Sequence, residues 1–153
     1  MKALIILKNS GSTGKSQTLE YLTKHLGMNG DVISKNYHYN GHDFAAIAKH
    51  HGFKIGIITI GDPGAEEFVF TELENLYRNG CDVIVASSRS RSSDEGVYKT
   101  LWKFGKEHGM ATMETSPYRT YDGYHDSLCH ETINDMCANG LLGAINYFLN
   151  LKS

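Results

Sequence analysis

The sequence predicts an α/β domain of three layers, a parallel five-stranded sheet with helices on both faces, and three observations lead to it. Short apolar runs end at polar or glycine residues, as strands buried on both faces do. Between these runs lie segments with apolar residues three and four apart, the spacing of one helix face. The two kinds of segment alternate along the chain, an order that builds parallel sheets with right-handed crossovers. With 153 residues, 41% of them apolar, and two prolines, the chain matches one domain over residues 1–153 with a single sizeable core.

The first strand is the run Ala3 to Leu7. A helix follows with Leu19, Leu22 and Leu26 on one face and Gly27 as its stop. Asp31 to Lys35 is a weaker strand suited to an outer position, and a second helix is expected from about His42 to His51. Lys54 to Ile60 and Asp82 to Ala86 carry the β-branched content of central strands. The helix between them covers Ala65 to Asn79, aligning Val69, Leu73 and Leu76, with Asn79-Gly80 as the stop signal. Val97, Leu101 and Phe104 align on the next helix, which ends before His108-Gly109, and Met110 to Glu114 is an outer fifth strand. Past the aromatic, polar stretch Ser116 to Asp126 come one or two helices reaching Leu151, with Asn139-Gly140 as the point of a break.

Composition excludes several classes. A formal net charge of -2 without a long lysine or arginine run lacks the broad basic footprint of a nucleic-acid binder. The opening run meets Lys8 after five apolar residues, too few for a signal peptide or a membrane span, so a soluble cytoplasmic protein is expected. Cys81, Cys129 and Cys137 form no CxxC pair and suggest reduced thiols. His38, His42, His50 and His51 fall close together, but without metal-ligand spacing they read as ordinary surface or packing histidines.

The segment Gly11-Ser12-Thr13-Gly14-Lys15-Ser16 carries the most specific chemistry. A polyphosphate needs many donors in a small space, and backbone amides supply them where glycine lets the chain curl closely. Gly11 and Gly14 give that freedom. Lys15 then stands at the start of the first helix to reach the terminal phosphates, Ser16 turns its hydroxyl toward magnesium, and the helix N-terminus adds positive potential, with Gln17 next in line.

This segment resembles the Walker A motif of P-loop NTPases, GxxxxGK[ST], with Asn9 at the position of the first glycine. Asparagine tolerates left-handed backbone, so the curl survives the replacement. The resemblance extends through the strand and helix order from Lys2 to about Glu114 and implies the P-loop type of fold, ATP or another nucleoside triphosphate as ligand, Mg2+ as cofactor and, among members, small nucleotide or metabolite kinases. It also implies an acidic residue ending a strand beside the first, and Asp62 looks like that metal-orienting group; equally, Asp62 starts a turn before Pro63 and caps the following helix.

The remaining rim loops offer further contacts. Arg89 and Arg91 lie in the hydroxyl-rich loop after the fourth strand, where arginines stabilise a transferring phosphoryl group or hold an anionic substrate, or where the loop is solvated and caps the next helix. Arg119 and Tyr121, after the fifth strand, can stack on a base, or the tyrosines pack the loop or form a subunit contact. Residues 36–43 correspond in order to the acceptor-binding region of small kinases, or form a plain polar connection.

The leading expectation is a small kinase-like phosphotransferase moving the γ-phosphate to a small-molecule acceptor. In it Lys15, Asp62 and Arg89 are the catalytic groups and Ser16 and Asp62 hold the metal. The alternative is a nucleotide-binding switch or regulatory NTPase, and a loop that has lost nucleotide binding is a third reading resting on Asn9. The absence of an Asn-Lys-x-Asp segment leans toward adenine. No membrane partner is expected, and oligomerisation is left open.

Overall fold

Alternating strand and helix segments condense into a single sheet covered on both faces. The structure is a computed structural model, and it describes residues 2–9, 15–27, 32–37, 41–89, 96–117 and 127–150. In chain order the elements are β1 (Ala3–Asn9), α1 (Lys15–Gly27), β2 (Val32–Tyr37), β3 (Phe44–His50), β4 (Phe53–Ile58), α2 (Glu66–Arg78), β5 (Val83–Arg89), α3 (Gly96–Glu107), β6 (Ala111–Thr115) and α4 (Ser127–Phe148).

The sheet has six strands in the order β2-β3-β4-β5-β1-β6, which corrects the expected five-stranded, all-parallel, P-loop-type sheet. β4, β5, β1 and β6 pair in parallel, whereas β3 is antiparallel to both β2 and β4. The error arose in one segment. His42 to His51 is alanine-rich and suggests a helix, yet Phe44 to Ala48 are all buried, as β3 between two neighbours requires. The reversal after β3 needs two residues at positive φ, and His51 (φ 52) and Gly52 (φ 83) supply them between the paired His50 and Phe53. This is the backbone of a two-residue hairpin whose twist matches the strands.

Two cores result, one per face. Leu4, Ile6, Ile84 and Ala86 meet Val69, Leu73 and Leu76 of α2 and Val97, Leu101 and Phe104 of α3. On the opposite face Ile5, Leu7, Ile57 and Val85 meet Leu19, Leu22 and Leu26 of α1 and Ala138, Leu141 and Ile145 of α4. Alternate residues of each central strand thus feed opposite cores. α4 runs unbroken through Asn139-Gly140, because Ala138 and Leu141 on either side are both buried in the sheet core. Among the described residues no helix is long and apolar enough to cross a membrane.

Candidate functional site

The carboxyl ends of β1, β4 and β5 share one edge of the sheet, the edge where ligands bind in open α/β folds. β1 ends at Asn9 at this edge and α1 opens at Lys15; residues 10–14, which join the two in the chain, lie outside the described residues. The first turn of α1 has no acidic residue, and the partial positive charge of its N-terminus is therefore not cancelled from within the turn. Leu19, Leu22 and Leu26 fix the helix against the sheet. α4 fixes its start: Asn134, itself buried, donates from Nδ2 to Gln17 Oε1 at 2.7 Å, and Thr18 Oγ1 stands 3.5 Å from Asn134 Oδ1.

β5, and not β4, lies beside β1, which pairs Asn9 with Arg89 in register. Asp62 therefore follows a strand one removed from β1. It still reaches the same place, since Arg89 Nε stands 3.0 Å from Asp62 Oδ1. The two arrive together because the segment after β4 hugs β5: Arg89 N donates to Gly61 O at 3.1 Å, and Ser87 Oγ donates to Thr59 O at 2.7 Å. A Cβ at Gly61 would sit 2.4 Å from Ser87 O and 2.6 Å from Ser88 Cα. Glycine is thus the residue that permits this approach. Ala65 N donates to Asp62 O at 3.2 Å, closing the turn through Pro63 and Gly64 into α2, while Ala65 and not Asp62 stands at the helix cap.

Of the residues singled out in the sequence, Asp62 and Arg89 are brought into contact and Asn9 is adjacent to Arg89 through the strand register. Lys15 and Ser16 open α1 and Gln17 is tied to α4. Gly11, Ser12, Thr13, Gly14, Arg91, Arg119 and Tyr121 lie outside the described residues. The histidine group is divided by β3, with His42 beside Asp43 before the strand and His50 at its far end, 2.6 Å from Asn146 Oδ1; His38 lies outside the described residues. Among the described residues no cluster of three or more His, Cys, Asp or Glu side chains could hold a metal by itself.

Polar groups beneath this edge, Asn36 and Asp43 of residues 36–43 among them, make contacts that the sequence reading did not assign. Thr59 Oγ1 donates to Asp43 Oδ1 at 3.0 Å and accepts from Phe44 N at 2.8 Å, and Asp43 and Thr59 are both buried. Asn36, itself exposed, donates from Nδ2 to Oε1 of the buried Glu72 at 2.8 Å, and Ser88, next to Arg89, is fully buried. An apolar run that ends in Thr and Ser hydroxyls, as Ile58-Thr59 and Ala86-Ser87-Ser88 do, is the signal available for such a layer. Compared with family models, with curated proteins and with solved structures, the chain matches none.

Proposed function

We propose that the chain binds a nucleoside triphosphate with Mg2+ across residues Gly11 to Gln17 and transfers its terminal phosphoryl group to a small-molecule acceptor. The observation that carries this reading is the passage from a buried strand flanked by parallel neighbours, through residues 10–14, directly into a helix that opens with Lys15-Ser16. Backbone amides and the helix N-terminus then serve the phosphates, and Lys15 adds a mobile charge. Asp62 is exposed and spends one carboxylate oxygen on Arg89. Its second oxygen suits a hard cation held through water, with Ser16 as the other ligand. Mg2+ supplies charge neutralisation on the β and γ phosphates, and Arg89 supports the transferring group.

The Asp62–Arg89 pair favours a second reading, a nucleotide-dependent switch, since an arginine already held by a carboxylate is restrained until a competing anion or cation arrives. Calorimetric titration with Mg-ATP tests the shared premise. Lys15→Ala is expected to remove nearly all affinity while leaving the unfolding midpoint unchanged, because the side chain is a charge donor to the ligand. Unchanged affinity in the folded variant sinks both readings. Product analysis with Mg-ATP and a panel of nucleosides, nucleotides and sugars then separates transferase from switch.

A further inference from the structure

A cavity of about 610 Å³ lies on the α1 face of the sheet, between α1 and the strands β2 and β3. Its origin is in the sequence. Ala48 of β3 belongs to the core formed with α1, and by strand alternation Phe44 and Ala46 share its face. Lys35 and Val32 of β2 pair with Ala46 and Ala48, and directly opposed residues of antiparallel strands project to the same side. Two alanines beneath α1 leave depth, and among the described residues β2 is the edge strand of the sheet. Glu20, Thr23, Lys24 and Gly27 form the helix wall; Val32, Lys35, His42 and Phe44 form the other.

The lining is specific in its chemistry. Val32 is 40% exposed, one of four large apolar side chains left so among the described residues, and with Phe44 it offers an apolar surface. Lys24 and Lys35 come from opposite walls, Glu20 is the one carboxylate among these lining residues, and His42, near the start of β3, faces Asp43 Oδ2 at 3.7 Å. Lys35 Nζ stands 4.0 Å from the centre of the Phe44 ring, so cation and aromatic surface are already adjacent. We propose that this cavity binds a small organic anion with an apolar body, its charge bridging Lys24 and Lys35 and its body lying against Val32 and Phe44. The volume falls within the range of about 300–1,000 Å³ typical of small-molecule sites. A cationic ligand would meet two ammonium groups. The site is independent of the nucleotide reading, although its Phe44 end borders the edge where Asp43 and Thr59 meet.

Phenyl phosphate is the probe, with benzylamine, benzyl alcohol and inorganic phosphate as comparisons, read by amide chemical shifts of the full chain. Saturable shifts are expected at Thr23, Lys24, Val32, Lys35 and Phe44, with a dissociation constant of about 1 mM or tighter. Lys24→Glu and Lys35→Glu, both at exposed positions, are each expected to weaken binding about tenfold, the loss of one charge-assisted contact, with the fold retained in the amide spectrum. Binding should also weaken as salt rises. The proposal is overturned if phenyl phosphate produces no saturable shifts at these residues, or shifts only residues at the start of α1. It is equally overturned if affinity survives both charge reversals, if benzylamine or benzyl alcohol binds as tightly, or if inorganic phosphate binds as well as phenyl phosphate, which would leave the apolar wall without a role.

Discussion

At the scale of single residues, two positions carry consequences beyond their own side chains. Gly61 is pressed against the backbone of β5, and an added methyl group would meet Ser87 O at 2.4 Å, an atom that cannot rotate away. Gly61→Ala is therefore expected to cost at least about 2 kcal/mol in urea unfolding. It should also loosen the Asp62–Arg89 contact, because the bond from Arg89 N to Gly61 O is what aligns the two segments. An unfolding midpoint equal to that of the parent would show that the close approach does not exist in solution. Cys81, fully buried, has its thiol pushed up to about 11 by burial, with Lys54 and Lys2 partly offsetting the rise. Its folded pKa exceeds the ordinary value of 9.0, so its contribution is intact below that value and is lost as pH rises through about 11. Stability relative to Cys81→Ala should therefore be constant to about pH 8 and then decline across that window, as denaturant midpoints of the pair would record. A difference that stays flat to pH 11 would contradict the burial of the thiol.

At the scale of elements, what the sequence conveyed depended on whether one force acted alone. Ala3 to Leu7 and Asp82 to Ala86 are central strands with β-branched or leucine side chains on both faces, and α2 and α3 have clear apolar stripes; local pattern and tertiary burial agree there. In β3 they disagree. Three alanines in Phe44 to Ala48 suit a helix by propensity, and their burial between β2 and β4 depends on hydrogen bonds to strands that no local window contains. The clue lay in His51-Gly52, since histidine is among the residues enriched at positive φ and a following glycine completes a hairpin turn. That backbone makes a prediction of its own. His51→Val forces a β-branched residue to φ 52 and is expected to cost about 1–2 kcal/mol, while His51→Asn should match or exceed the parent; thermal or urea midpoints compare them. Equal stability of the valine and asparagine variants would rule out the two-residue turn. The site shows the same division. The Lys15-Ser16 helix start was legible because it is a contiguous motif, but the contact of Asp62 with Arg89 follows from strand order, and strand order was the part misread.

For the whole molecule, the strand order places β5 between β4 and β1, and this order decides which groups can act together. Arg89 ends the strand adjacent to β1 and stands in register with Asn9, whereas Asp62 follows a strand one farther away and reaches this edge through its contact with Arg89. If phosphoryl transfer occurs there, the guanidinium faces charge that grows in the transition state, so Arg89→Ala should lower turnover far more than it lowers Mg-ATP affinity. The loss reaches roughly a thousandfold if the residue acts as an arginine finger, and less if it positions the acceptor. Asp62→Asn separates the roles of its carboxylate. Where Asp62 serves chiefly to hold Arg89, the double variant should be little worse than Arg89→Ala alone, a non-additivity expected of residues in direct contact. Where it orients Mg2+, Asp62→Asn should raise the magnesium concentration needed for half-maximal turnover whether or not Arg89 is present. The switch reading requires something else: slow basal hydrolysis that Arg89→Ala leaves unchanged, because the stimulating group comes from a partner. Steady-state turnover and separately measured nucleotide affinity for the two single variants and the double variant decide among these outcomes. Turnover that no acceptor raises, together with an Arg89→Ala rate equal to the parent, would exclude the transferase.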